Sequence, residues 1–143
     1  MKYYNIALSL VIVNKDENLN IDGINFSNSV FVNIEIEGLS LFKSDRLEGS
    51  LLVFEELEKS MKGSGEFLIF TSVSGIADSG GWQYIEVKHN NSSVLWNFQR
   101  DNENFIFTFD KTLYIQEISK IKMELSKLDK TITLEPSYVI FPE

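Results

Sequence analysis

Two neighbouring segments of alternating aromatic residues constrain the fold of this chain more than any other feature of its sequence. In residues 94–98 and again in residues 105–109, every second residue is Val, Trp or Phe, which is the period of a strand with one buried face. A polar turn at residues 101–104 joins them, so we predict an antiparallel hairpin whose two aromatic faces form the main core. Residues Trp82–Lys88, joined through a second turn at residues 89–92, extend it to a three-stranded meander.

Three further segments predict strands. Ile6–Val13 alternates at period two, and its length falls far short of the ~20 residues that span a bilayer. Val30–Glu37 alternates aliphatic with mostly polar residues, as expected for a half-buried strand. Phe67–Phe70 is a continuous apolar run, typical of a fully buried strand. The polar, turn-rich residues 14–25 predict a loop.

Helical spacing and capping residues predict two helices. The first begins near Asp45, which forms a capping box with Glu48, and ends near Gly63. The second has Asp110 as its N-cap and apolar residues at positions 114, 118, 121, 125 and 128. The fold class is therefore α+β, an antiparallel, meander-containing sheet with two helices packed on it. Its 143 residues predict a single domain over residues 1–143.

Composition excludes several classes of site. The chain has no cysteine and one histidine, His89, which leaves no disulfide framework and no thiolate metal site. His89 lies in a predicted turn without a serine or carboxylate partner at a known catalytic spacing, and no G-x-S-x-G motif occurs. The loop Ser74–Gly81 lacks the phosphate-loop spacing and is followed by a strand instead of a helix. We therefore expect neither an enzyme nor a bound cofactor or metal.

The acidic residues are concentrated in one part of the chain. The net charge is −8, and residues 16–58 hold ten acidic and two basic residues, an excess equal to that net charge. Such a surface repels nucleic acid and anionic membranes. It is either a solvated acidic face or a docking surface for a basic partner, whose encounter it would accelerate. The candidate partner-binding residues are Glu35, Glu37, Glu48, Glu55, Glu56 and, in the glycine-rich loop, Asp78.

The glycine-rich loop carries the clearest family resemblance. The stretch Phe67–Trp82, followed by Ile85–His89, Val94–Phe98 and Phe107–Asp110, resembles a group of small bacterial proteins, some of which look like immunity proteins encoded beside polymorphic or contact-dependent growth inhibition toxins. The resemblance covers residues 67–118. Relatives often carry cysteines in this loop, where Ser72, Ser74 and Ser79 stand here, so no metal or redox role is carried over.

The resemblance implies a cytoplasmic protein that binds and neutralises a cognate protein toxin, often a basic nuclease, by covering part of its surface. The alternative is a non-catalytic small-ligand or scaffold module in which residues 74–81 gate a pocket beside Trp82 and Trp96. A small ligand would raise the thermal stability of such a module by mass action. An enzyme ranks third, and the oligomeric state is left open by the sequence.

Overall fold

In the part of the chain that the structure describes, two helices and antiparallel strands in several sheets make this an α+β fold, as the sequence predicts. The computed structural model describes residues 3–21, 23–37, 39–40, 50–72, 84–100, 102–137 and 139. Two four-stranded sheets provide the frame, and two short strand pairs accompany them. No helix within these described ranges is long and apolar enough to cross a membrane.

The first sheet is built around one central strand. Its strands are β1 (Ile6–Val13), β4 (Ser29–Ile36), β5 (Leu39–Ser40) and β12 (Thr133–Glu135). Strand β1 runs antiparallel to β4 in the register Ile6↔Ile36. On its other side β4 pairs with β5 antiparallel and with β12 parallel. Both segments predicted as strands near the N-terminus are thus strands, and β12 adds a further strand to them.

Strand β4 is buried on both faces, so the prediction of a half-buried strand is wrong. Its aliphatic face enters the main core, while Phe31 on the other face is 1% exposed. The hairpin of β2 (Leu19–Ile21) and β3 (Ile24–Phe26) folds over that second face. Side chains from the hairpin pack with Phe31, Val13 and Leu51 in a second, smaller core. Part of the segment predicted as a loop is therefore a hairpin, which hides β4 from solvent.

The aromatic meander forms as predicted. The second sheet has the order β11 (Glu103–Asp110), β10 (Ser93–Arg100), β9 (Ile85–His89) and β7 (Gly65–Phe67), all antiparallel. The register pairs Trp96 with Phe107 and Phe98 with Phe105. The rings of Phe98 and Phe105 stack with centroids 5.1 Å apart. Aromatic residues at period two on both strands thus meet on one face, as cross-strand pairing requires.

Helix α2 (Lys111–Ser126) is also where the sequence places it. The Asp110 side chain accepts a hydrogen bond from the Thr112 backbone N–H at 3.0 Å, which confirms Asp110 as the N-cap. Tyr114, Ile118 and Ile121 are fully buried. The half-buried Glu117 accepts a hydrogen bond from the Leu8 backbone N–H at 2.9 Å and fastens the helix to strand β1.

Helix α1 is shorter than predicted. It spans Phe54–Met61, and Ser50–Leu52 forms strand β6, which pairs with β8 (Phe70–Ser72). Leu51 matches the helical spacing but packs in the smaller core. The expected capping pair Asp45 and Glu48 lies outside the described residues. Glu58 of α1 pairs with Lys122 of α2 and so links the two helices.

The apolar run Phe67–Phe70 is buried, but it is not one strand. Strand β7 ends at Phe67 and β8 begins at Phe70, so the fully buried Leu68 and Ile69 connect two different sheets. The Ile69 carbonyl accepts a hydrogen bond from the Val53 N–H at 2.7 Å, just before α1. One main core joins the inner faces of both four-stranded sheets with both helices.

Candidate functional site

The predicted acidic residues fall at two separate places in the fold. Glu35 is half-buried near the end of β4, on the strand face away from the main core. Glu37 follows that strand, and its Oε1 accepts a hydrogen bond from the Asn5 N–H at 2.9 Å. The Glu37 N–H donates to the Asn5 carbonyl at 3.0 Å in return. Glu37 thus fastens the end of the β1–β4 pair, whereas Glu35 has no such backbone role.

Glu55 and Glu56 are neighbours with opposite environments. The Glu55 side chain is 80% exposed, with Lys59 Nζ 3.8 Å from its Oε1. Glu56 is only 7% exposed, which corrects its prediction as a solvent-facing residue. Its Oε1 accepts a hydrogen bond from the Leu68 N–H at 3.0 Å, and its Oε2 lies 3.3 Å from Lys59 Nζ. The backbone between β7 and β8 needs an acceptor there, and Glu56 supplies it.

The other predicted contact residues lie outside the described residues. These are Glu48, Asp78 with the rest of the loop Ser74–Gly81, and Trp82. Trp96, the second wall expected for a ligand pocket, is described and fully buried in the main core. The pocket postulated between the loop and the two tryptophans therefore has only Trp96 as a described wall.

A buried hydrogen-bond chain links both helices to the aromatic meander. Trp96 Nε1–H donates to the Tyr114 hydroxyl at 3.1 Å, and Ser60 Oγ lies 2.5 Å from that hydroxyl. Since Ser60 uses its own proton to reach the Leu57 carbonyl at 2.6 Å, Tyr114 donates to Ser60. His89, predicted as an exposed turn residue, is half-buried and donates from Nε2 to the Ser60 carbonyl at 2.7 Å. The histidine therefore has a structural hydrogen bond.

Tyr114 is expected to ionise only in strong alkali. Burial raises the pKa of Tyr114 to about 12, although hydrogen bonds with Ser60 and Trp96 lower it in part. The unfolded phenol has a pKa of roughly 10. The stability that Tyr114 contributes is therefore complete below about pH 10 and is lost as pH rises through about 12. Phenolate absorbance, measured as the difference between the protein and its Tyr114→Phe variant, tests this; a midpoint at the ordinary value would contradict it.

A cleft between α1 and the C-terminal segment combines acidic and apolar residues. Its volume is about 280 Å³. Four charged side chains border it, namely Glu55, Glu56, Lys59 and Glu135, and its other lining residues are Val53, Phe54, Leu134, Pro136, Ser137 and Val139. Sequence reasoning did not identify Glu135 as a site residue. The cleft joins segments about eighty positions apart in the chain, so no local spacing indicates it.

The carboxylates and apolar side chains that line this cleft are suited to binding a ligand. Glu55 and Glu56 occupy the first turn of α1, where the helix dipole favours negative charge. Within the described part of the chain, no three His, Asp or Glu side chains are arranged so that they could hold a metal ion. The one described histidine is committed to a backbone carbonyl. The cleft thus offers carboxylate acceptors above an apolar floor.

Comparisons of the chain with protein-family models, with curated proteins and with solved structures found no match.

Proposed function

We propose that this chain is a bacterial immunity protein that binds a basic protein toxin and neutralises it by covering part of its surface. The observation that carries the proposal is the exposed negative charge at α1, where Glu55 and two further carboxylates border a cleft with one lysine. It is supported by the net charge of −8. In this function the protein acts in the cytoplasm beside its toxin and needs no cofactor.

Electrostatic attraction makes such an inhibitor associate rapidly with its target. Opposite charges on two proteins raise the association rate far more than they raise the final affinity, and the effect falls with ionic strength. Dehydrated apolar contacts and paired charges at the centre of the interface supply the slow dissociation. The apolar side chains of the cleft, Phe54, Leu134 and Pro136, are suited to that second role.

Only some of the predicted acidic residues can be replaced without removing a hydrogen bond that holds the fold. Glu37 and Glu56 accept backbone hydrogen bonds, so reversing their charge would damage the fold as well as the surface. Glu35 and Glu55 have no such bond to lose. We therefore restrict the charge reversal to Glu35→Lys and Glu55→Lys.

The test is protection of growth. The chain is co-expressed with the product of the adjoining gene, and the growth of cells and the recovery of a one-to-one complex are measured. We expect protection by the native chain and a slower association rate for the double variant, because two attractive charges become repulsive. Glu86→Lys, on strand β9 and not among the residues that line the cleft, serves as a single-reversal control for Glu55→Lys. The proposal fails if no complex forms with this product, or if the native chain does not protect.

A further inference from the structure

We infer that the cleft between α1 and strand β12 receives one arginine side chain of the partner. This inference rests on the proposed function and names the chemistry of its contact. It starts from the lining, which includes three carboxylates and a single ammonium group. With one unit of positive charge added, the cleft approaches neutrality, whereas an anion would meet three like charges at close range.

The carboxylates come from two elements and leave room for an added cation. Glu55 lies on α1 and Glu135 on β12, 80 positions apart in the chain. Lys59 lies closer to Glu56 than to Glu55, at 3.3 Å against 3.8 Å. An entering guanidinium can therefore displace Lys59 from Glu55 while the ion pair between Lys59 and the buried Glu56 remains.

The size of the cleft suits one long side chain. Its volume of about 280 Å³ lies just below the roughly 300–1,000 Å³ of pockets that enclose drug-sized ligands. A single extended side chain therefore fits this space.

Arginine fits this lining better than lysine. The methylene stem of either residue can lie on apolar side chains, here Phe54, Leu134 and Pro136. The guanidinium is planar, weakly hydrated and carries five donors, so it can bond carboxylates from two directions and lie flat on an aromatic or proline ring. An ammonium group is a more strongly hydrated point charge and loses more on entering a partly apolar cleft.

The probe is N-acetyl-arginine methylamide, titrated into the isotope-labelled native chain and followed by amide chemical shifts. We expect saturable shifts confined to Val53–Lys59 and Leu134–Ser137. The citrulline analogue has nearly the same shape without the charge and should bind at least about tenfold more weakly, a difference of about 1.4 kcal/mol in the free energy of binding. The lysine analogue should bind more weakly than arginine.

Matched variants tie the binding to the cleft. Glu55→Gln and Glu135→Gln should each weaken binding of the probe several-fold, and Lys59→Gln should strengthen it because the resident cation is removed. Glu86→Gln removes the same charge from strand β9, where Glu86 pairs with Lys88 and not with the cleft. It should leave the affinity unchanged.

Three outcomes would overturn the inference. The first is that the citrulline and arginine probes bind equally well, or that neither of them binds. The second is binding of inorganic phosphate at the same amides. Val53, the residue before α1, provides no side-chain cap, so the first backbone N–H groups of the helix could bind an anion instead. The third is an equal loss in Glu86→Gln and Glu55→Gln, which would indicate general charge attraction. Because this titration uses no toxin, its result is independent of whether the adjoining gene product binds.

Discussion

Replacing Trp96 by alanine is expected to lower the free energy of unfolding by about 3–5 kcal/mol, the usual cost of removing a buried aromatic side chain. Trp96 is fully buried. Its ring meets Phe109 and Tyr114 edge to face, with centroids 5.1 Å and 6.2 Å away. The substitution leaves a cavity at the centre of the main core and removes the donor to the Tyr114 hydroxyl. Urea unfolding followed by far-ultraviolet circular dichroism gives the value.

Two companion variants make this result interpretable. Trp96→Phe keeps most of the apolar volume and should cost less than the alanine substitution, with the lost hydrogen bond as its main component. Met123→Ala on α2 removes a side chain that is 62% exposed and should stay within about 0.5 kcal/mol of the native chain. A cost below about 1 kcal/mol for Trp96→Ala would mean that this ring is not at the centre of the core.

Glu56→Ala should destabilise the protein by about 2–3 kcal/mol, whereas Glu55→Ala should change its stability by less than about 0.5 kcal/mol. Both carboxylates lie within 4 Å of Lys59, so the ion pairs alone do not separate the two residues. The difference lies in the Leu68 N–H, which is buried and loses its acceptor only when Glu56 is removed. Urea unfolding of the two variants measures it.

Glu56→Gln identifies the source of that cost. Glutamine keeps a side-chain oxygen that can accept from Leu68 N–H but removes the charge. We expect it to retain much of the stability that alanine loses. If glutamine and alanine are equally damaging, the ion pair with Lys59 is the dominant contribution; if Glu55→Ala is as damaging as Glu56→Ala, the assignment of Glu56 as the backbone acceptor is wrong.

The sequence predicted best what is determined within a few residues. Helix α2 has an N-cap and an apolar stripe in its own sequence, and the meander has period-two aromatics with short turns on either side. Both signals come from local backbone geometry, so neither needs knowledge of the rest of the chain. The observed register, from Ser93↔Asp110 to Arg100↔Glu103, places Glu103 and Asn104 in β11, so the turn predicted at residues 101–104 is two residues too long.

Contacts with other segments decided the rest of the fold. Ser50–Leu52 has apolar residues that suit a helix, but pairing with Phe70–Ser72 makes it a strand. The alternation in β4 predicted an exposed face, and the preceding hairpin β2–β3 covers it. In both cases the deciding partner is another segment of the chain, which the periodicity of the segment itself does not reveal.

The candidate site also combines features that the local sequence predicts with features that contacts to other segments decide. Glu55 was predicted to be exposed, and it is. Glu56 is the next residue in a helix and shares the sequence pattern of Glu55, but the Leu68 backbone decides its burial. Glu135 entered the site only because β12 pairs with β4, which brings the end of the chain to the start of α1. The count of charges along the sequence therefore located the acidic region, but it did not predict that Glu56 is buried or that Glu135 borders the cleft.

The bond between Glu117 and the Leu8 N–H has a consequence for how another protein can approach. Strand β1 lies at the border of its sheet, where free amides invite an incoming strand to pair. At Leu8 that amide is already occupied by a carboxylate, whose second partner is Lys120 at 3.0 Å. The border of the sheet is closed to strand addition there. At Leu8, another protein must therefore contact this border through side chains, because the backbone amide is already used. The same bond removes one backbone site at which two copies of the chain could aggregate by strand pairing.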